Sequence, residues 1–218
     1  MVRGAATAGN RFLRIIYVKI KYMGRSYNIW MLVFVLGGLS LVTCKQYTGD
    51  WAQQEVALKG SNTKLTYMIP DDIPSCKEVL VAAGAGENVI AEHCNRYRNL
   101  YFVLIQHDKP SYPEGTPYSP FDTFAKACLD RLMNDGAVSS EMKILEQKKD
   151  TLSNGVITST AELFGYMGED NPIFYFHKTL DVGDCFIEAS AWTRGEKRRL
   201  EHGDRLRRII SSIKVNSQ

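Results

Sequence analysis

The chain of 218 residues combines 44% hydrophobic, 11% aromatic and 23% charged residues. This is the balance of an ordinary globular protein, and it excludes a disordered chain, a collagen-like chain and a membrane protein with many spans. Residues 1–44 contain six basic residues and no acidic residue, which leaves 21 basic and 24 acidic residues in the remainder. A slightly acidic body lacks the positive patch that binds nucleic acid, so no nucleic-acid partner is expected.

An apolar run follows the basic stretch at residues 29–42, where 11 of 14 residues are apolar. As a helix this run would be roughly 21 Å long, whereas a bilayer core is about 30 Å thick, so it is short for a membrane span. Its length and its basic flank are typical of a secretory signal. Met23 begins a segment with the length of such a signal, so a translation start at Met23 is an alternative to Met1.

The residues that close this run, Leu41-Val42-Thr43-Cys44, resemble the lipobox of bacterial lipoproteins, except that this family usually has Gly, Ala or Ser where Thr43 stands. The resemblance implies that residues 1–43 are a cleaved signal peptide and that Cys44 carries the lipid. The mature protein would then be anchored in the cell envelope and face the periplasm, and Lys45 favours the outer membrane. The alternative is an uncleaved signal anchor in the inner membrane that carries the same domain.

Four further cysteines follow Cys44, an even number that suits an oxidising compartment. None has the CxxC spacing of a zinc site or a redox motif. Cys76 and Cys94 are the disulfide candidates because both flank loop-like sequence, although other pairings stay open. Cys128, on the apolar face of a predicted helix, and Cys185, in an apolar strand, are predicted to be buried small hydrophobes.

The remaining sequence predicts a polar tether at residues 44–62 and a single domain at 63–218. Its elements are recognised by alternating apolar residues in strands, by helical spacing of apolar residues in helices, and by turn residues between them. Ser119 or Asp122 can cap the first helix. The predicted strands are 64–69, 100–107, about 141–148, 155–165, 173–180 and 185–192, and the helices lie at 121–132 and at about 196–213.

The helix PFDTFAKACLDRLM, the strand CFIEASAW and a terminal helix ending in RRIISSIKV together resemble the PsbP-type α/β/α sandwich over about residues 64–215. The resemblance implies an α+β fold with a mostly antiparallel sheet and two main helices. It also implies a non-enzymatic binding or assembly role, here with an unidentified envelope protein. It rests on the order of elements, so no binding residue is carried over from the family.

Residues 78–108 also allow a different fold. A strand, a glycine turn, a helix over residues 89–97 and a second strand would form the Rossmann-like βαβ unit of a nucleotide- or S-adenosylmethionine-binding enzyme. Gly84 and Gly86 would then face a phosphate, and Asp108 would hold a ribose hydroxyl. Val89 stands where the third glycine of that motif is expected, which argues against this alternative. A hairpin in this segment favours the sandwich, and a parallel crossover favours the pocket.

The sequence contains no motif for catalysis. The four histidines, His93, His107, His177 and His202, have no ligand spacing such as HExxH, and no GxSxG motif is present. The histidines are therefore predicted to be structural. We expect no catalytic residues, no metal and no cofactor.

Overall fold

The computed structural model describes residues 49–77, 88–110, 119–134, 142–168 and 170–216. In this part of the chain, neither helix is long and apolar enough to cross a membrane. The elements in chain order are β1 (Trp51–Ala57), β2 (Lys64–Pro70), β3 (Val89–Asn95), β4 (Leu100–Asp108), α1 (Pro120–Met133), β5 (Lys143–Thr151), β6 (Ile157–Met167), β7 (Asn171–Asp181), β8 (Cys185–Arg194), α2 (Glu196–Ser211) and β9 (Lys214–Asn216).

The strands form two antiparallel sheets. The larger sheet has the order β3-β4-β8-β7-β6-β5, and the smaller has the order β1-β2-β9. Strands β5 to β8 are neighbours in sequence and in space, as the short breaks between them predict for a meander. The predicted α+β fold with two main helices and a mostly antiparallel sheet is confirmed.

The central strands of the large sheet are buried on both faces, and β8 illustrates this best. Its odd positions, including Ile187 and Ala189, belong to the main core with Leu206 and Ile209 of α2. An even position, Phe186, packs with the α1 residues Phe121 and Ala125 on the other face. Successive side chains of a strand point to opposite faces, so a strand covered on both sides reads as one nearly continuous apolar run.

A strand lies where a tether was expected. β1 falls within residues 44–62, yet it pairs with β2 along its whole length, from Trp51 opposite Pro70 to Ala57 opposite Lys64. Trp51 and Val56 pack against the main core. The prediction of a tether is wrong for these residues. The segment has no regular apolar period, but backbone pairing with β2 and the packing of two apolar side chains stabilise it as a strand.

The segment assigned to a possible Rossmann-like unit contains a hairpin instead. β3 pairs antiparallel with β4, from Asn95 opposite Leu100 to Val89 opposite Ile105. The turn between them uses Asn99 at φ 55°, a left-handed conformation that asparagine tolerates. The alternative with a helix over residues 89–97 is therefore wrong, because the chain reverses directly and makes no parallel crossover.

Candidate functional site

The face of the large sheet under α1 carries a buried carboxylate. Glu188 of β8 is only 2% exposed, and the residues on either side of it in the strand are buried and apolar. Both of its oxygens accept hydrogen bonds from Arg131 of α1. Its Oε2 also lies 3.0 Å from Nε2 of His107 on β4. Burying a carboxylate is costly unless it is paired, and these two partners provide the pairing.

Helix α1 brings a thiol to the same point. The helix starts at Ser119, whose Oγ accepts the backbone N–H of Asp122 at 3.5 Å, so Ser119 is the cap of the two predicted candidates. Cys128 and Arg131 are three residues apart and therefore share one face of this helix. Cys128 is 4% exposed, and its sulfur lies within 4.8 Å of a carboxylate oxygen of Glu188. Its predicted burial is confirmed, but its neighbour is a carboxylate as well as the apolar core.

His177 of β7 completes the cluster. Its Nδ1 lies 3.0 Å from Oγ of Ser190 on the adjacent strand, and the ring is 2% exposed. Its Nε2 is buried and has no hydrogen-bond partner among the described residues. One ligand atom from each of Cys128, His177 and Glu188 lies within 4.8 Å of those of the other two. We call these three residues the Cys–His–Glu cluster.

The protonation states of this cluster follow from its burial. Burial lowers the pKa of His177 to about 4, so its ring is neutral at pH 7. Burial raises the pKa of Glu188, but the hydrogen bond from His107 and the positive charges around the carboxylate outweigh it and lower the pKa to about 2. Burial and the nearby carboxylate raise the pKa of the Cys128 thiol far above its usual range. A protonated thiol is a poor nucleophile, so the cluster is not built for Cys–His catalysis.

A different feature, the edge strand β5, lies at the end of the same sheet. All nine of its residues are exposed, and Ile144 and Leu145 expose 38% and 51% of their surface. In the described part of the chain, β5 pairs with β6 alone. At the opposite edge, Ser75 forms a bridge to His93 and so covers β3. Exposed edges of this length offer unpaired backbone donors and acceptors to another strand.

A groove of about 210 Å³ runs beside β5, between the sheet and α2. On one side of the groove, Nε of Arg207 on α2 donates a hydrogen bond to Oε1 of Glu162 on β6 at 2.6 Å. Its lining includes both apolar and charged side chains, so a peptide could contact both. The lining residues are Glu146, Lys148, Thr160, Ala161, Glu162, Phe176, His177, Arg207, Ile210 and Ser211.

Of the residues proposed for a nucleotide pocket, the structure describes Asp108 alone. Gly84 and Gly86 lie outside the described residues, as does Cys44. Asp108 is at the exposed end of β4, opposite Cys185 of β8. Cys185 itself is buried, at 3% exposure, as the sequence predicts.

The disulfide candidates lie on neighbouring segments. The Cys76 N–H donates to the carbonyl of Glu92, and the Cys94 N–H donates to the carbonyl of Pro74, both at 3.0 Å. Cys76 and Cys94 are therefore diagonal neighbours on one face, a placement that separates Cα atoms by about 7–8 Å and exceeds the usual disulfide span. No disulfide joins them in the described part of the chain. The pairing stays a prediction that requires a shift of the backbone.

The Cys–His–Glu cluster was missed by reasoning from sequence because its members come from α1, β7 and β8. Motifs that identify ligands depend on short spacing along the chain, and these residues are up to 60 positions apart. One signal was present: Glu188 is an isolated charge inside the apolar strand sequence CFIEASAW. A carboxylate at such a position needs a buried partner.

No protein-family model and no curated protein matches the chain. Solved structures do match its fold. The solution structure of cyanobacterial PsbP (CyanoP) from Synechocystis has a TM-score of 0.52 and 13% sequence identity, and the match covers 78% of this chain and 95% of that one. The Ran-binding protein Mog1p of Saccharomyces cerevisiae has a TM-score of 0.45 and 10% identity, covering 76% of this chain and 96% of its own. The match to CyanoP shows that the fold is PsbP-like, as the order of elements predicted.

Proposed function

We propose that the protein is an exported, lipid-anchored envelope protein whose domain binds a protein partner and has no enzymatic role. The anchor is the lipid on Cys44, and the domain that begins with β1 faces the periplasm, with the outer membrane favoured by Lys45. The lipobox-like residues 41–44 and the short apolar run support the anchor. The PsbP-like fold is compatible with a binding role, and the exposed edge of β5 is the single observation that carries it.

The proposed partner adds an extended segment to β5. Backbone hydrogen bonds from the open edge would supply affinity, and side chains beside the strand would supply specificity, as in other proteins that bind by strand addition. The exposed pair Ile144 and Leu145 calls for an apolar side chain in the partner segment. Lys148 and Lys149, which belong to β5 itself, discourage indiscriminate pairing with other strands.

In the register that pairs all nine residues of β5, a second copy of this chain fits the edge less well. In a symmetric antiparallel pairing centred on Gln147, Glu146 would face Lys148 of the second copy, which is favourable. The same register places Ile144 opposite Asp150 and Leu145 opposite Lys149 of that copy. The two apolar residues would then meet charged side chains, so a different protein is the better occupant.

Metabolic labelling with a palmitate analogue tests the anchor. Wild type and Cys185→Ser should be labelled, and Cys44→Ser should lose the label, since Cys185 is buried within the domain and serves as the matched control. Labelling that is unchanged in Cys44→Ser would remove the lipoprotein proposal. A protein without label that remains in the inner membrane would establish the signal anchor instead.

Site-specific photo-crosslinking in cells tests the edge. A photoreactive amino acid at Leu145 is compared with the same residue at Leu200, an exposed leucine of α2 that is 79% exposed. We expect one discrete heterologous product from position 145, none of that size from position 200, and its loss when Ile144→Lys is added. Equal patterns at both positions, or a product with the mass of two copies of this chain, would refute the proposed partner.

A further inference from the structure

The Cys–His–Glu cluster has the composition of a metal site. Cys128 offers sulfur, His177 offers an imidazole nitrogen and Glu188 offers a carboxylate oxygen, and all three side chains are at most 4% exposed. Zn²⁺ binds this mixture of sulfur, nitrogen and oxygen ligands in tetrahedral sites. Three protein ligands leave a fourth position for water, which is the ligand count of zinc sites that keep an open position.

The unpartnered nitrogen of His177 is the independent observation that points to a ligand. Its other ring nitrogen lies 3.0 Å from Oγ of Ser190, and if it carries the proton it donates to that oxygen. This tautomer leaves a lone pair on Nε2, which is buried and accepts no hydrogen bond among the described residues. Metal-binding histidines typically have this arrangement, with the second nitrogen held by a hydrogen bond to the surrounding protein.

From these contacts we infer that Cys128, His177 and Glu188 bind a Zn²⁺ ion between α1 and the large sheet. The ligand atoms now lie within 4.8 Å of one another, and tetrahedral zinc would bring them to roughly 3.5 Å. Side-chain movements of about 1 Å close that difference. Glu188 gives one oxygen to the ion and keeps the other for Arg131 and His107, which orient it from outside the site.

Binding changes the charge of the site in a defined way. The Cys128 thiol loses its proton to solvent as the sulfur binds the ion, because the thiolate is the metal ligand. No electron transfer accompanies the step. The ion reaches the cluster beside Arg131 and His107, whose side chains are 54% and 24% exposed.

Cobalt titration of the full chain in a metal-free buffer tests the inference. Co²⁺ replaces Zn²⁺ in such sites, and a thiolate ligand gives a charge-transfer band that water ligands do not give. We expect one equivalent to bind to wild type and to Cys185→Ser, and we expect Cys128→Ser to lose the band. Ser190→Ala should bind about 10–100-fold more weakly, since Ser190 orients the ligand His177.

No band in wild type, or a band that survives Cys128→Ser and His177→Gln, would overturn the inference. Circular dichroism of each variant identifies any that fail to fold. Cadmium NMR of wild type reports the number of sulfur ligands without any substitution, so it decides the matter if the variants unfold. One sulfur in the cadmium site supports the assignment, and none or more than one refutes it.

Discussion

The contact between Arg131 and Glu188 allows a quantitative test of the cluster under α1. Replacing Arg131 by glutamine removes the guanidinium that donates to both oxygens of Glu188, whose side chain is only 2% exposed. His107 remains as a partner. We expect Arg131→Gln to destabilise the fold, because the buried carboxylate of Glu188 loses hydrogen bonds and a positive charge that offset the cost of its burial.

The pKa of Glu188 sets the size of this effect. Its decrease from 4.5 to about 2 corresponds to about 3 kcal/mol of net stabilisation of the ionised form by all partners together. The Arg131 side chain is 54% exposed, so solvent screening reduces its share to about 1–2 kcal/mol. The folded pKa lies below the unfolded one, so this stabilisation is fully present above pH 4.5 and is lost as the pH falls through about 2.

Urea unfolding at pH 7 in the presence of a chelator measures the effect without bound metal. Lys126→Gln is the control, because it removes the same charge from an exposed position of the same helix. We expect Arg131→Gln to lose about 1–2 kcal/mol, or roughly 2–8 °C in Tm for a domain of this size, and Lys126→Gln to change little. Equal unfolding midpoints for the two variants would refute the account of Glu188.

Three further outcomes follow from local structure. The His93 ring lies 2.9 Å from the Tyr67 hydroxyl and 3.1 Å from the Ile73 carbonyl, and burial lowers its pKa. The contribution of neutral His93 to the free energy of unfolding is therefore fully present above pH 6.5 and decreases as the pH falls below it. His93→Phe should reduce this dependence of the urea midpoint, and equal slopes would contradict it. Gly195→Ala should cost about 1–3 kcal/mol in a thermal melt because its φ is 92°. Gly203→Ala should instead stabilise by up to about 1 kcal/mol, since the added Cβ lies at an ordinary 3.9 Å from Phe176; a loss would contradict this estimate.

The meander and the helices could be predicted from local sequence patterns. Strands β6 to β8 and helix α2 have apolar residues at regular spacing and turn residues at their ends, so their existence and order follow from the sequence. β3 was harder, because VIAEHCN has apolar residues at spacings that also fit a helix. Pairing with β4, a contact between segments, decides its conformation.

The two candidate sites could not be predicted for different reasons. The Cys–His–Glu cluster depends on the register between β7 and β8, which places His177 opposite Ser190 and Thr179 opposite Glu188. No local pattern encodes that alignment. The open edge at β5 depends on the order of strands in the finished sheet, because the sequence KILEQKKDT does not by itself distinguish an edge strand from an exposed loop.

The two proposals make separable predictions because β6 lies between β5 and β7. Adjacent strands are about 4.8 Å apart, so the backbone of β5 lies roughly 10 Å from that of His177, a distance at which substitutions usually act independently. Leu145→Lys should therefore abolish crosslinking at the edge, probed from position 144, and leave cobalt binding unchanged. Cys128→Ser should abolish the cobalt band and leave the crosslink intact. If either substitution removes both signals while circular dichroism stays native, the edge and the cluster are one coupled site, and the assignment of separate roles to them is wrong.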